Sequence, residues 1–390
     1  MYTLLLSLIY LAFVSLGLPD SLLGTAWPVM QGDLNCPMYF AGIVSMIISG
    51  GTIASSLLSE RLTKRLGTPA VTVVSVFLTA LALLGFSFAD HFLWLCVIAV
   101  PYGLGAGAID AALNNYVAIH YTSRHMSWLH CFWGVGTIIS PYIMSLALTY
   151  STWNVGYRAT SFIQLGIAAV LLCTVGVWKM NKRSAGISES EGADGEIIGI
   201  RASLRIPGVP YLLIGFFGYC AAEATAMLWA SSFLVNARGL TEERAAAFTS
   251  LLFIGITAGR FINGFITDKL SDKALIRIGT AISLFGLLLV LIPTTLTAII
   301  GLLLVGLGFA PIYPCIIHST PASFGEKNSQ AIIGIQMASA YVGTTLAPPL
   351  FGVIADFVSV ELFAVFILLF VVLMTVMLEI TNRKVGSRAL

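Results

Sequence analysis

Long apolar stretches alternate with short polar stretches along almost the whole chain. A helix that crosses a bilayer needs about 20 mainly apolar residues. Runs of this kind predict spans near residues 2–30, 39–59, 70–89, 93–119, 127–150, 157–179, 207–236, 246–267, 275–293, 296–318, 328–355 and 360–380. The pattern therefore predicts an all-α polytopic membrane protein with twelve transmembrane helices.

Composition supports lipid as the solvent for most of the chain. Hydrophobic residues make up 58% of the 390 residues and charged residues only 10%, whereas soluble domains carry about 25% charged residues. The net charge of +2 gives no reason to expect a nucleic-acid partner. The six cysteines include no C-x-x-C pair, so they are expected to be free thiols packed in helices.

The N-terminal residues have neither a basic leader region nor a small-residue cleavage site, so we expect them to form the first span. Basic residues set the orientation of membrane proteins, because cytoplasmic loops are enriched in Lys and Arg. With the N-terminus inside, sixteen Lys and Arg lie in cytoplasmic segments and three lie outside. The distribution predicts that both termini face the cytoplasm, and a cell-membrane location is expected.

One long polar stretch, residues 181–206, divides the spans into two groups of six. It is rich in Gly, Ser and charged residues, which is typical of a linker. The predicted organisation is an N-terminal bundle at 1–180, a cytoplasmic linker at 181–206 and a C-terminal bundle at 207–390. The halves also repeat weakly: Gly103-Leu104-Gly105 is echoed by Gly306-Leu307-Gly308, and Pro141 by Pro348.

A second echo follows the second and eighth spans. SLLSERLTKR at 56–65 and GFITDKLSDK at 264–273 carry an acid and a base at the same place, Glu60-Arg61 and Asp268-Lys269. The pattern G-x-x-x-D-K/R at 264–269 resembles the loop motif of the major facilitator superfamily. The copy at 56–61 departs from that motif, with Ser56 for Gly and Glu60 for Asp.

Four further segments resemble the fucose–proton symporter branch of that superfamily and its sodium–glucose relatives. The resemblance implies two pseudo-symmetric six-helix bundles that import a sugar or small polyol together with an ion. It also implies that acids in the first and fourth spans, here Asp20 and Asp110, serve ion coupling and sugar recognition. The fourth-span acid is typically Glu in the fucose symporter. The segments are GLPDSLLGTAWP (17–28), GLGAGAIDAALNN (103–115), LHCFWGVGTIISP (129–141) and EATAMLW (223–229).

The presence of acids inside predicted spans requires a functional or structural explanation, because inserting a charged side chain into a bilayer costs about 2.5–3.5 kcal/mol on insertion scales. Asp20 and Trp27 share a helical face at i and i+7, which suits a polyol with hydroxyls and an apolar face. Asp110 has Asn114 one turn on. The structural alternatives are that Asp20 caps a helix restarted after Pro19 and that Asp110 pairs with a neighbouring helix.

Other spans add candidates for the solute and ion site. His130 and Trp133 share a face of the fifth span, and His titrates near neutral pH. Glu223 lies in the seventh span and Gln336 in the eleventh. The alternatives are a packing role for His130 and an interhelical lock to His or Tyr for Glu223.

Charged residues near the predicted cytoplasmic ends are expected to form a gate. Arg260 lies two turns before Asp268, and the group comprises Glu60, Arg61, Arg260, Asp268 and Lys269. The alternative for Arg260 is that its side chain extends to the lipid headgroups.

Enzyme and primary-pump functions have no motif here, because H-E-x-x-H, G-x-S-x-G and G-x-x-x-x-G-K-[ST] are absent. The sequence predicts a monomeric, non-enzymatic importer of a sugar-like solute that uses H⁺ or Na⁺ and no cofactor. Transporters built from two repeats bind solute at the repeat interface. The alternative is a proton-coupled exporter of drugs, lipids or other amphipathic solutes.

Overall fold

The structure is a computed structural model that describes residues 2–20, 22–36, 40–178, 199–240 and 242–386. These residues fold into α-helices joined by short turns, with no strand among them. The chain divides into two compact units, residues 1–116 with 129–198 and residues 117–128 with 199–390. Most of the predicted linker at 181–206 lies outside the described residues.

The helices of the first half of the chain follow the predicted spans closely. Helices α5 and α6 are each divided between the units, so that the segment Val117–Trp128, here called the connecting segment, belongs to the second unit. The helices are α1 (Tyr2–Gly17), α2 (Leu22–Asp33), α3 (Phe40–Leu66), α4 (Thr68–Phe86), α5 (Phe92–His120), α6 (Ser123–Tyr150) and α7 (Trp153–Cys173).

The second half of the chain repeats this arrangement, with its tenth span divided into two helices. The helices are α8 (Ile200–Ser203), α9 (Val209–Arg238), α10 (Glu242–Ile266), α11 (Asp272–Leu291), α12 (Thr295–Phe309), α13 (Ile312–His318), α14 (Thr320–Phe324), α15 (Glu326–Phe357) and α16 (Phe363–Gly386).

Within the described residues, ten helical segments are long and apolar enough to cross a membrane. Two shorter apolar helices, Leu4–Gly17 and Leu251–Ile266, stand where the first and eighth spans are predicted. The twelve-helix fold predicted from the apolar runs is confirmed.

The first span differs from its prediction because it is two helices. Helix α1 ends at Gly17 and α2 begins at Leu22. Pro19 has no N–H group to donate, and its ring disfavours the helical conformation of the residue before it. The turn is closed instead by the N–H of Asp20 donating to Gly17 O at 3.3 Å and that of Leu22 donating to Pro19 O at 3.2 Å. Asp20 therefore lies in the break between the two helices and belongs to neither of them.

Glycines allow the close helix packing inside the first unit. A Cβ added at Gly103 would collide with the carbonyl of Ile48 on α3, and one at Gly105 would lie 3.0 Å from Ser75 O on α4. Small residues let helix backbones approach in membranes, where apolar burial between helices gives little driving force.

The second unit uses the echoed glycines in the same way. A Cβ at Gly306 would collide with the carbonyl of Leu252 on α10, and one at Gly308 would collide with Ser283 on α11. The Gly-Leu-Gly repeat in the sequence therefore corresponds to a repeat in structure: in both the fourth and the tenth span, these glycines allow close contact with neighbouring helices.

Candidate functional site

Asp20, at the break between α1 and α2, is held by two neutral donors of the first unit. The indole Nε1 of Trp133 donates to Asp20 Oδ2 at 2.8 Å, and the Tyr102 hydroxyl donates to Oδ1 at 3.4 Å. Asp20 is exposed, and no described Lys or Arg lies within ion-pair distance of it. The carboxyl group can therefore be reached by a solute or an ion and is stabilised without a fixed countercharge.

Asp110 begins a second polar chain in the same unit. The Asn114 amide nitrogen donates to Asp110 Oδ1 at 2.7 Å, and Asn114 Oδ1 lies 3.1 Å from His130 Nε2. Because an amide oxygen only accepts, this contact requires a proton on His130 Nε2. All three side chains are buried, at 5%, 0% and 6% exposure. Asn114 thus links the carboxyl group on α5 to an imidazole on α6.

The two chains meet along one face of α6, because His130 and Trp133 stand one turn apart. The structure therefore brings together Asp20, Asp110, Asn114, His130 and Trp133, all of which the sequence marks as candidates. These five residues and Tyr102 are called the α6 polar cluster below. The side chain of Trp27, which belongs to the same predicted set, lies outside the described residues.

In the second unit, Glu223 on α9 forms an ion pair with Arg260 on α10. Arg260 Nη2 lies 2.9 Å from Glu223 Oε1, and the two side chains are 5% and 14% exposed. The Tyr219 hydroxyl, one turn before Glu223, also lies 2.8 Å from Oε1. The sequence places Glu223 in the solute site and Arg260 in a gate, but the structure pairs them in one buried group.

Gln336 on α15 lies in a separate buried position of that unit. The Thr320 hydroxyl donates to its Oε1 at 3.1 Å, while its Nε2 has no hydrogen-bond partner among the described residues. Gln336 is fully buried, so its amide N–H groups are an unused donor inside the unit. The hydroxyl of Ser339, its neighbour on the helix face, donates to Leu213 O at 2.9 Å.

The loop-motif residues of the second unit bind the connecting segment. Arg124 forms an ion pair with Asp268 and donates through Nε to Gly264 O at 3.0 Å. The Trp128 indole donates to Phe261 O at 3.3 Å. A Cβ at position 264 would collide with that indole, so the glycine of the motif leaves room for it. We call these contacts of Arg124 and Trp128, together with the contacts of Asp272 described next, the latch.

The inner part of the latch is centred on Asp272, the first residue of α11. Asp272 accepts from the Ser123 hydroxyl, and its Oδ2 lies 2.5 Å from His318 Nδ1. His318 Nε2 lies 3.1 Å from Tyr121 O. A carbonyl oxygen and an ionised carboxylate both only accept, so this arrangement fits a doubly protonated imidazolium.

The matching loop of the first unit makes a different contact. Glu60, the acid of the degraded motif copy, forms an ion pair with Lys64 on its own helix at 3.0 Å. Ser56, which replaces the motif glycine, donates to Gly107 O at 3.2 Å. Arg61 and Lys269 are both exposed, and neither forms an ion pair among the described residues.

Several partners in these clusters carry no signal in the sequence. Tyr102, Tyr219 and Thr320 hydrogen-bond candidate residues, yet tyrosines and threonines are common in spans for other reasons. Asp272 and His318 lie near predicted span ends, where charged residues are expected anyway. Tyr219 is the exception among these partners, because its spacing of one helical turn from Glu223 indicates contact in advance.

Acids on membrane-crossing helices are typical of secondary transporters. The chain belongs to the major facilitator superfamily, whose sequence profile matches residues 9–259 and 212–388. The family resemblance read from the loop motif is confirmed.

Three curated relatives of the chain are named as transporters. It is 25% identical over 380 residues to an uncharacterised transporter of Sinorhizobium fredii, covering 93% of this chain and 95% of that protein. It is 26% identical to the hexuronate transporter of Bacillus subtilis, covering 69% and 66% of the two chains. The glucose/mannose transporter of the same organism is 21% identical, with 88% and 86% covered.

Solved structures show the same fold at low identity. The Escherichia coli fucose:proton symporter FucP superimposes with a TM-score of 0.73 at 18% identity, covering 96% of this chain and 98% of that one. The proton:xylose symporter XylE gives 0.72 at 12% identity, with 95% and 94% covered.

Proposed function

We propose that this transporter imports a sugar or sugar-like polyol together with H⁺ or Na⁺ by alternating access. The observation that carries the proposal is the α6 polar cluster, in which an exposed and a buried carboxyl group are held by neutral donors on α5 and α6. The names of the hexuronate, glucose/mannose, fucose and xylose transporters support a solute of this class.

The chemistry of the cluster suits a polyhydroxylated solute. Carboxylate oxygens accept hydrogen bonds from hydroxyl groups, and an imidazole or amide can donate or accept. The Trp133 ring, half-exposed beside Asp20, offers an apolar face for the C–H side of a sugar ring. On this proposal, one solute molecule contacts the Asp20 carboxyl group and the Trp133 ring together.

Ion coupling requires a group whose charge changes during the cycle. Asp20 meets that requirement because its donors, Trp133 and Tyr102, are neutral, so that H⁺ or Na⁺ can supply the missing charge. Glu223 is a weaker candidate, since Arg260 already compensates its charge at 2.9 Å. We therefore assign coupling to the first unit, with Asp110 as its second acid.

A ligand screen tests the proposal on the purified protein. Specific binding raises apparent thermal stability by mass action, so sugars and sugar acids should raise the unfolding temperature, and Na⁺ or a change of pH should alter the size of that rise. Stabilisation by unrelated apolar cations, without any response to sugars, would instead support the exporter alternative.

The Trp133 indole gives a sharper test of the site. Trp133→Phe keeps an aromatic ring but removes the indole N–H donor to Asp20. A hydrogen bond to a charged group contributes about 1.5–3 kcal/mol. We expect solute affinity to fall by about tenfold, measured as the midpoint of the ligand-induced stabilisation. The matched control is Trp153→Phe, which removes an indole donor to Asp33 at 2.7 Å elsewhere in the unit. Equal affinity losses in the two variants would contradict the assignment.

The latch predicts an effect on conformation and not on binding. Asp268→Asn removes the ionic partner of Arg124, so the balance of inward- and outward-facing states should shift while the affinity of each state is retained. Double electron–electron resonance distances between spin labels on the two halves measure that balance. Arg124→Gln should shift it in the same direction, and the double variant no further, because both changes remove one contact. Unchanged distances in both single variants would exclude a gating role.

A further inference from the structure

A cavity of about 250 Å³ lies in the second unit, and its lining includes Thr320, the hydrogen-bond partner of Gln336. Its walls come from α9, α11, α13, α14 and α16, and none of the α6 polar cluster lines it. The large apolar residues of the lining are Leu212, Ile276, Leu284, Ile316, Phe324 and Leu378. Most of the accessible lining surface is apolar, so a cavity of this size accepts part of a hydrocarbon chain.

The mouth of the cavity is polar and carries more positive than negative charge. Arg277 and Glu379 form a two-pronged bridge there, with distances of 2.7 and 2.9 Å. Lys273 lines the same mouth, and Arg383 lies one helical turn beyond Glu379. Neither Lys273 nor Arg383 has an ion pair among the described residues. Lys273 and Arg277 therefore face one carboxylate in the lining, and Arg383, outside the lining, adds a third positive charge near Glu379.

The position of these charges along the helices matches a lipid headgroup. Lys273 is in the first turn of α11 and Arg383 is in the last turn of α16. Of the apolar wall residues, Ile276 and Leu284 lie further along α11, and Leu378 lies further into α16. Basic pockets between transmembrane helices at the cytoplasmic side suit anionic lipid headgroups, each Lys or Arg adding about a fivefold gain in affinity.

We propose that this cavity binds an anionic phospholipid, with an acyl chain against the apolar wall and the phosphate at Lys273 and Arg383. The positive charges of Lys273 and Arg383 favour an anionic headgroup over a neutral one. The apolar wall favours a lipid, which has an acyl chain, over a free anion, which has none. A second cavity, near the other ends of these helices, is lined by Arg238 and Glu361. Its single cation and single carboxylate balance, so no such selectivity is expected there.

Native mass spectrometry of the full-length protein in detergent tests the proposal, with phosphatidylglycerol and phosphatidylcholine added in turn. Phosphatidylglycerol should bind more tightly to the wild type. Lys273→Gln with Arg383→Gln should weaken it about tenfold or more and leave phosphatidylcholine unchanged. The matched control is Arg201→Gln with Arg205→Gln, an equal loss of charge on exposed residues outside the cavity.

Two further arms separate the lipid from a free phosphate. Ala281→Phe should narrow the cavity without changing its charges, because Ala281 lines it, and should also weaken phosphatidylglycerol binding. Inorganic phosphate should fail to displace the lipid. Equal binding of both lipids, equal losses in the two double variants, or displacement by phosphate with no effect of Ala281→Phe would each overturn the proposal. Unfolding temperatures of all variants identify any that fold poorly, in which case Lys273→Gln alone decides the charge arm.

Discussion

Asp20→Asn and Asp110→Asn are each expected to abolish ion-driven accumulation of the solute against its gradient. Coupling needs a carboxyl group that changes charge, and an amide cannot do so at any accessible pH. The amide keeps the shape of the side chain and still accepts through its oxygen, so at least one variant should retain solute exchange or binding. Uptake into proteoliposomes with and without an ion gradient, together with counterflow, measures the two activities separately.

The surroundings of the two acids predict which variant keeps binding. Asp110 is 5% exposed and contacts Asn114 within its own helix, so its amide form remains packed. Asp20 is exposed and would present its amide directly to the solute. We therefore expect Asp110→Asn to retain exchange better than Asp20→Asn. The control is Asp33→Asn, the same change at the end of α2, where Asp33 also accepts from an indole. Wild-type uphill uptake in both site variants would refute the assignment of coupling to the first unit.

The sequence predicts the fold well because membrane solvation leaves a strong pattern. Every spanning helix must satisfy its own backbone hydrogen bonds and present apolar side chains to lipid, so span number follows from run length. The Gly-Leu-Gly echo is equally local, since a missing side chain allows close packing at its own position. The break at Pro19 also has a local cause, a missing N–H group, but the length of the apolar run predicts one unbroken span there.

The candidate site is only partly predictable, because pairing depends on which helices become neighbours. Asp110 and Asn114 are one turn apart, so their contact is visible in the sequence. Ser123 and Asp272 are 149 positions apart, and no local pattern joins them. Arg260 is a second example of a pairing that the sequence does not show. Its distance from Asp268 along the chain suggests a shared gate, whereas in the structure it forms an ion pair with Glu223 on α9.

That pairing changes what a substitution at Arg260 is expected to do. As a gate residue, Arg260→Ala would shift the balance of states and spare binding. As the partner of a buried carboxylate, it should instead destabilise the protein, because it leaves Glu223 charged and uncompensated. Breaking a buried ion pair from one side costs about 3–5 kcal/mol, which makes this the largest stability effect expected in the second unit.

Thermal and denaturant unfolding of the purified protein measure that loss directly. Arg260→Gln and Glu223→Gln should each lower the free energy of unfolding by about 3–5 kcal/mol. The double variant should be more stable than the sum of the two losses implies, since neither charge then remains buried alone.

The matched control is Arg277→Gln, which breaks a bridge whose side chains are 62% and 38% exposed. Water screens such a pair, so its loss should cost at most about 1 kcal/mol. Purely additive losses, or an equal cost for Arg277→Gln, would show that the Glu223–Arg260 pair does not stabilise the second unit.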